Sequence, residues 1–140
     1  MATREHNLES IGGLYATFKI HQTGGVDDLQ DDDIGKAVTI VGNYEIGLGN
    51  SGDILLGKLI DLSLTDADNG KRVATVQVGG IMTLAAAATV PALGNRVVVN
   101  GAGAVRQAPA LTGNDPAGGN VARGTVIKVN GTTDVTLILN

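Results

Sequence analysis

Apolar and polar residues alternate with a period of two along most of this chain, and the alternating runs are separated by glycine-containing turns. That period places successive side chains on opposite faces of an extended backbone, so the runs predict β-strands. LYATFKI (14–20) sets Leu14, Ala16, Phe18 and Ile20 on one face. In ILLGKLIDLSLT (54–65), Ile54, Leu56, Ile60, Leu62 and Leu64 share a face, Lys58 is the exception, and Asp61, Ser63 and Thr65 lie opposite. Further strands are expected in KRVATVQV (71–78), NRVVV (95–99), AVRQA (104–108), GTVIKV (124–129) and TDVTLIL (133–139). Asn69-Gly70, Asn100-Gly101 and Asn130-Gly131 stand between these runs, where a hairpin needs positive φ.

The pattern predicts an all-β domain built of hairpins. IGKAVTI (34–40) resembles LGNRVVV (93–99), and GDILLGKLI (52–60) resembles GNVARGTVI (119–127), with offsets of 59 and 67. Such spacing fits either two pseudo-equivalent halves, the second carrying a longer connecting loop around ALTGNDPAGG, or a coincidence between β-hairpins of similar composition. Residues 1–33 read as a polar N-terminal arm holding one short strand, and residues 34–140 as a single β-domain. The chain has 140 residues, of which 21 are Gly, about twice the usual share of roughly 7%. Its only aromatic residues are Tyr15, Tyr44 and Phe18, so the core must be aliphatic.

A net charge of −4 argues against direct nucleic-acid binding, which relies on clustered Lys and Arg. There is no cysteine, hence no disulfide or thiolate chemistry. No run approaches the ~20 apolar residues of a membrane span, and MATREHNLES is too polar for the apolar core of a secretory signal. GLGNSG (47–52) matches the dinucleotide glycine pattern, but a strand-like run follows it instead of a helix. Asp27, Asp28, Asp31, Asp32 and Asp33 lack the spacing of a calcium loop and read as a solvated acidic linker. His6 and His21 show no zinc-ligand spacing, and Ser10, Ser51 and Ser63 lie in no nucleophile motif. Asn130-Gly131-Thr132 fits a glycosylation sequon and reads as a hairpin turn. Nothing here nominates a catalytic residue, a metal site or a cofactor, and the expected protein is not an enzyme.

The order of GNSGDILLGKLIDL, DNGKRVATVQVGGIMTL and ALGNRVVVNGAGAVRQA resembles the small capsid decoration, or cement, proteins of tailed bacteriophages. The resemblance covers about residues 42–110, and the final hairpin more loosely. It implies a compact β-barrel or β-tulip domain that assembles as homotrimers at three-fold and quasi-three-fold positions of an icosahedral shell. Its partners would be the major capsid protein and copies of itself, with no direct nucleic acid or membrane contact. The place implied is the capsid exterior of a virion assembled in the host cytoplasm. On this expectation Leu14, Tyr15, Phe18 and Ile20 are intermolecular anchors, aromatics being enriched in interfaces; the alternative is packing on their own barrel. Ala85, Ala86, Ala87 and Ala88 form either a small-residue linker packed closely against another strand or subunit, or one helical turn. A different class of function is a tail-fibre or adhesin module that binds carbohydrate, though sugar sites usually present more aromatic platforms than this chain owns.

Overall fold

The computed structural model describes residues 8–64, 71–87, 90–110, 113 and 122–140. Its elements are β1 (Leu14–Ile20), β2 (Gln22–Thr23), β3 (Val26–Asp27), a 3-10 turn at Asp31–Asp33, β4 (Ala37–Gly42), β5 (Glu45–Gly47), β6 (Gly57–Leu62), β7 (Val73–Ala85), β8 (Val97–Val99), β9 (Val105–Gln107), β10 (Thr125–Asn130) and β11 (Asp134–Leu139). The protein is all-β, as the alternation predicts, and β1, β5, β4, β6 and the first half of β7 close into a five-stranded barrel. All its pairings are antiparallel except β1 with β5.

The second half of β7 starts a second ring. It pairs with β11, which pairs with β10. From there the 123–126 stretch bonds to the approach to β8, β8 pairs with β9, and β9 returns to β7 through the parallel bridge Ala86–Val105. Strand order and direction repeat those of the first barrel, including the one parallel link. The register repeats as well. Gly35 N–H donates to Leu59 O at 2.7 Å and Leu59 N–H to Lys36 O at 2.9 Å. Their counterparts are Gly94 N–H to Val126 O at 2.8 Å and Val126 N–H to Asn95 O at 3.0 Å. These pairs reproduce the sequence offsets of 59 and 67, and the bulge between Leu59 and Asp61 recurs between Val126 and Lys128. The chain is two copies of one barrel that share a strand.

Each barrel encloses an aliphatic core. Ile20, Leu29, Val38, Ile46, Leu59 and Val76 fill the first; Met82, Leu84, Val97, Val105, Val135 and Leu137 fill the second. Burying each such side chain contributes roughly 1.5–3 kcal/mol, which suffices without aromatic residues. Ala37 and Leu55, from the first barrel, pack into the second core and join the two. Around them Ala37 N–H bonds to Gly103 O at 2.9 Å and Val99 N–H to Asp53 O at 3.0 Å. The Arg123 guanidinium caps the Leu55 carbonyl at 2.9 Å; burial, with the Arg96 charge, lowers its pKa.

Several expectations are corrected. The Gly79-Gly80 step does not end a strand, because β7 runs through it for 13 residues. Gly80 takes φ +92°, and a Cβ there would lie 2.7 Å from the carbonyl carbon and oxygen of Gly12 and from Ile11 O. The buried Gln77 amide spans this pivot, donating to Gly79 O at 3.0 Å and Ile81 O at 3.1 Å. In 54–65 the inward residues are Leu55, Leu59 and Leu62, while Ile54 and Leu64 are exposed. The bulge after Leu59 shifts the phase, a one-residue change that turns side chains to the other face. β1 is a stave of the first barrel, so that barrel begins upstream of residue 34, and residues 10–11 continue beside β7 through Ser10 N–H to Ile81 O at 2.8 Å. Asn69-Gly70 lies outside the described residues.

Replacing Gly80 with Ala is expected to lower unfolding free energy by roughly 3 kcal/mol, from left-handed strain plus overlap with Gly12. Gly94→Ala, at φ +79° with no atom within 4 Å of the new Cβ, should cost only about 1 kcal/mol. Urea unfolding of both variants measures the difference, and equal losses would show that the pivot tolerates a side chain.

Candidate functional site

The repeat supplies an internal control, since surface features that the fold requires should occur in both barrels. One that does not is the tip of the β4–β5 hairpin. Gly42 pairs with Glu45, leaving Asn43-Tyr44 as the loop, and Tyr44 adopts φ +57°. A left-handed conformation strains a residue with a Cβ by about 1–3 kcal/mol. The equivalent position in the second barrel is Gly103, at φ +91°. Tyr44 recovers little from its own fold: it is 76% exposed, and its described bond is made by the backbone, Lys19 N–H to Tyr44 O at 2.8 Å. Ile40 and Val41 on the same hairpin are also exposed. Sequence reading counted Tyr44 among the aromatics and missed its exposed left-handed position; the signal available was a bulky residue directly after Asn43 in a hairpin loop.

A second repeat-specific feature opens at the end of the first barrel. A cleft of about 370 Å³ lies between β1, β5, the β2–β3 hairpin and the start of β7, and Lys19, Gln22, Asp27, Glu45 and Arg72 stand around Ile20 and Val73. Strand pairing equates Lys19 with Ala85, Ile20 with Ala86, Glu45 with Ala104 and Val73 with Asp134. The barrel end therefore closes equally well on alanines, and the charges in the first copy are not needed for closure. Amide, ammonium, guanidinium and carboxylate groups over an apolar floor suit the binding of a polar ligand or chain.

The same comparison accounts for part of the alanine run. Ala85 ends β7, Ala86 bridges to β9, and Ala87 N–H bonds to Val105 O at 3.0 Å, so these three are extended and not helical. Ala88 lies outside the described residues. The anchor candidates divide. Leu14 is 64% exposed and Tyr15 also faces outward, whereas Phe18 packs against the first core and Ile20 is buried in it. Leu14 and Tyr15 lie beside exposed Ile11 and, across β7, exposed Ile138, forming an apolar outer face around half-buried Ile81.

The acidic run is not a free linker. Asp31 and Arg72 form an ion pair at 2.6 Å, and buried Asp33 meets Lys36 Nζ at 2.7 Å and Gln30 N–H at 2.8 Å. Burial opposes the Asp33 charge, but the Lys36 and Gln30 hydrogen bonds outweigh it and lower its pKa. Asp28 accepts from Thr23 Oγ1 at 2.8 Å and lies 2.6 Å from His21 Nδ1, bracing the β2–β3 hairpin. Among the described residues no three His, Cys, Asp or Glu side chains converge as a metal site. His6 lies outside them. GLGNSG ends β5 at Gly47 and opens the β5–β6 loop, which packs against β8 through Gly52 N–H to Val99 O at 2.9 Å. No protein-family model matches this chain, and no curated protein or solved structure is significantly similar to it.

The His21–Asp28 brace has a defined pH window. The hydrogen bond to Asp28 raises the His21 pKa above 6.5, so its contribution is complete below 6.5 and disappears as pH climbs through the raised value. The bond from His21, then that from Thr23, lowers Asp28 below 3.8, so its contribution holds above 3.8 and disappears as pH falls through the lowered value. Amide protection factors across the hairpin should peak between about pH 4 and 6.5. In Asp28→Asn, His21 should titrate closer to 6.5 by NMR; an unchanged titration would mean that the two groups do not interact.

Proposed function

We propose that the chain is a non-enzymatic structural protein that attaches to the outer surface of a bacteriophage capsid lattice and stabilises the expanded shell. The observation that carries this reading is Tyr44, an exposed aromatic placed at a left-handed turn position where the second barrel has the unstrained Gly103. Strain retained at one copy of a repeated position is accounted for when the residue inserts into a partner, because buried aromatic anchors dominate interface energetics. The outward Leu14 and Tyr15 add a second apolar face, suited to contact with another copy of the chain. The partners are the major capsid protein and two further copies of this protein, arranged about three-fold and quasi-three-fold positions of the virion exterior. A chain with net charge −4 suits that exterior better than a surface facing packaged DNA. A protein that binds only the expanded lattice stabilises it by mass action, with no chemical step.

A second reading, a tail or adhesin module that binds a carbohydrate or another polar ligand, is favoured by one feature, the charged cleft at Lys19, Glu45 and Arg72. The two readings place the essential residues on different surfaces.

Quantitative mass spectrometry of purified virions should find this chain close to equimolar with the shell protein. A handful of copies or none would remove the lattice reading. Tyr44→Gly should be more stable than the parent by about 1 kcal/mol, or roughly 4 °C in Tm, because glycine relieves the left-handed strain. The same variant should bind emptied expanded shells at least about tenfold more weakly, the scale of a lost aromatic anchor. A less stable Tyr44→Gly protein, or one that binds shells as well as the parent, would assign Tyr44 a purely internal role.

A further inference from the structure

Asn-Gly steps form tight turns, and the geometry of each turn also governs its covalent chemistry. Asn100-Gly101 and Asn130-Gly131 both fall among the described residues and differ sharply in their surroundings. We propose that Asn130 is a self-modification site, where the side-chain amide converts to aspartate and isoaspartate without an enzyme, while Asn100 is spared.

The reaction uses only the chain and water. The backbone nitrogen of Gly131 attacks Cγ of Asn130 and gives its proton to hydroxide or water. A new C–N bond closes a cyclic imide, and the Nδ2 group leaves as ammonia. Water then adds to either imide carbonyl and opens the ring. Attack at the side-chain carbonyl restores an ordinary backbone with aspartate; attack at the main-chain carbonyl routes the backbone through the side chain as isoaspartate. In sum, asparagine and water give an acid and ammonia, with no change of oxidation state.

At Asn130 the geometry leaves this path open. Among the described residues no hydrogen bond engages the Gly131 amide, and no atom lies within 4 Å of the place a Cβ would occupy, so the space beside Gly131 is open. Asn130 is exposed, and its side chain has only a long 3.4 Å approach to Asp134 Oδ2. The carbonyl of Asn130 is meanwhile held by Thr133, through N–H at 3.1 Å and Oγ1 at 3.0 Å, which steadies the backbone while the side chain swings.

Asn100 is held through its side chain and its own backbone, while the Gly101 amide, like that of Gly131, makes no hydrogen bond among the described residues. The Asn100 Oδ1 accepts from Ala102 N–H at 2.8 Å and from Ala104 N–H at 3.0 Å, which ties the side-chain amide to the backbone beyond Gly101. Its own N–H bonds to Ala104 O at 2.9 Å. A Cβ on Gly101 would lie 2.8 Å from Ser51 N, so the β5–β6 loop packs closely against this turn. Conversion at Asn130 takes the chain from a net charge of −4 to −5. In the isoaspartate form it adds a methylene to the turn that sets the β10–β11 register, next to the Asp134 carboxylate.

The folded protein is aged at mildly alkaline pH and mapped by peptide mass spectrometry, with isoaspartyl methyltransferase labelling to distinguish the two products. Asn130 should convert roughly thirty-fold faster than Asn100, the rate equivalent of two hydrogen bonds that must first open at Asn100. In denaturing urea the two rates should converge, because both peptides then share an uncovered glycine. Asn130→Gln should abolish the fast phase without changing the rate at Asn100. Comparable rates in the folded protein, faster loss at Asn100, or a contrast that survives in urea would each overturn the assignment.

Discussion

A single strand belonging to two closed rings is the constraint on which the rest of this fold depends. β7 supplies the fifth stave of the first barrel and the first stave of the second, and its inward residues Ala74 and Val76 hand over to Met82 and Leu84. The axis must turn between them without losing the inward phase. Gly80 allows that turn through a backbone conformation closed to most side chains, and the Gln77 amide spans it. Because Ala37 and Leu55 of the first barrel sit in the core of the second, separating the barrels would open the second core. The two units therefore form one cooperative body, in contrast to tandem domains joined by a linker.

The sequence showed strand character and the internal repeat, since inward positions such as Val38 and Val97 stayed aliphatic in both copies. It misplaced features that depend on single backbone torsions. The bulge after Leu59 reversed the apparent inward face of 54–65, and the misfit of Lys58 was its only trace. Gly79-Gly80 has the composition of a turn, yet here it bends a continuous strand because Gly12 and Ile11 lie against it. Acidic residues close in sequence read as unpartnered because Arg72, which meets Asp31 in the fold, lies 41 residues away along the chain. The left-handed conformation of Tyr44 has no residue-type signature, since Tyr ordinarily avoids it.

Comparing the barrels with each other separates structural need from surface purpose. Where both copies agree, as in the register of Gly35 with Leu59 and of Gly94 with Val126, the shared geometry is what closure requires. Where they differ at equivalent positions, one copy shows what the fold tolerates and the other what has been added. Tyr44 against Gly103, and the Lys19 and Glu45 cleft against Ala85 and Ala104, are additions in this sense. The added features are concentrated on the first barrel, which gives the molecule a chemically distinct pole despite its repeated architecture.

The shared strand also imposes an order on synthesis. By the time β7 leaves the ribosome, every stave of the first barrel is present, whereas the main partner of its second half, β11, lies some fifty residues downstream. At roughly 5–20 residues per second that interval lasts on the order of 3–11 s, during which a strand edge awaits its neighbour. The opposite flank of the strand is already occupied at Ile81 by Ser10 and Ile11. The nascent chain thus presents one open flank instead of two around Ile81 until β11 arrives.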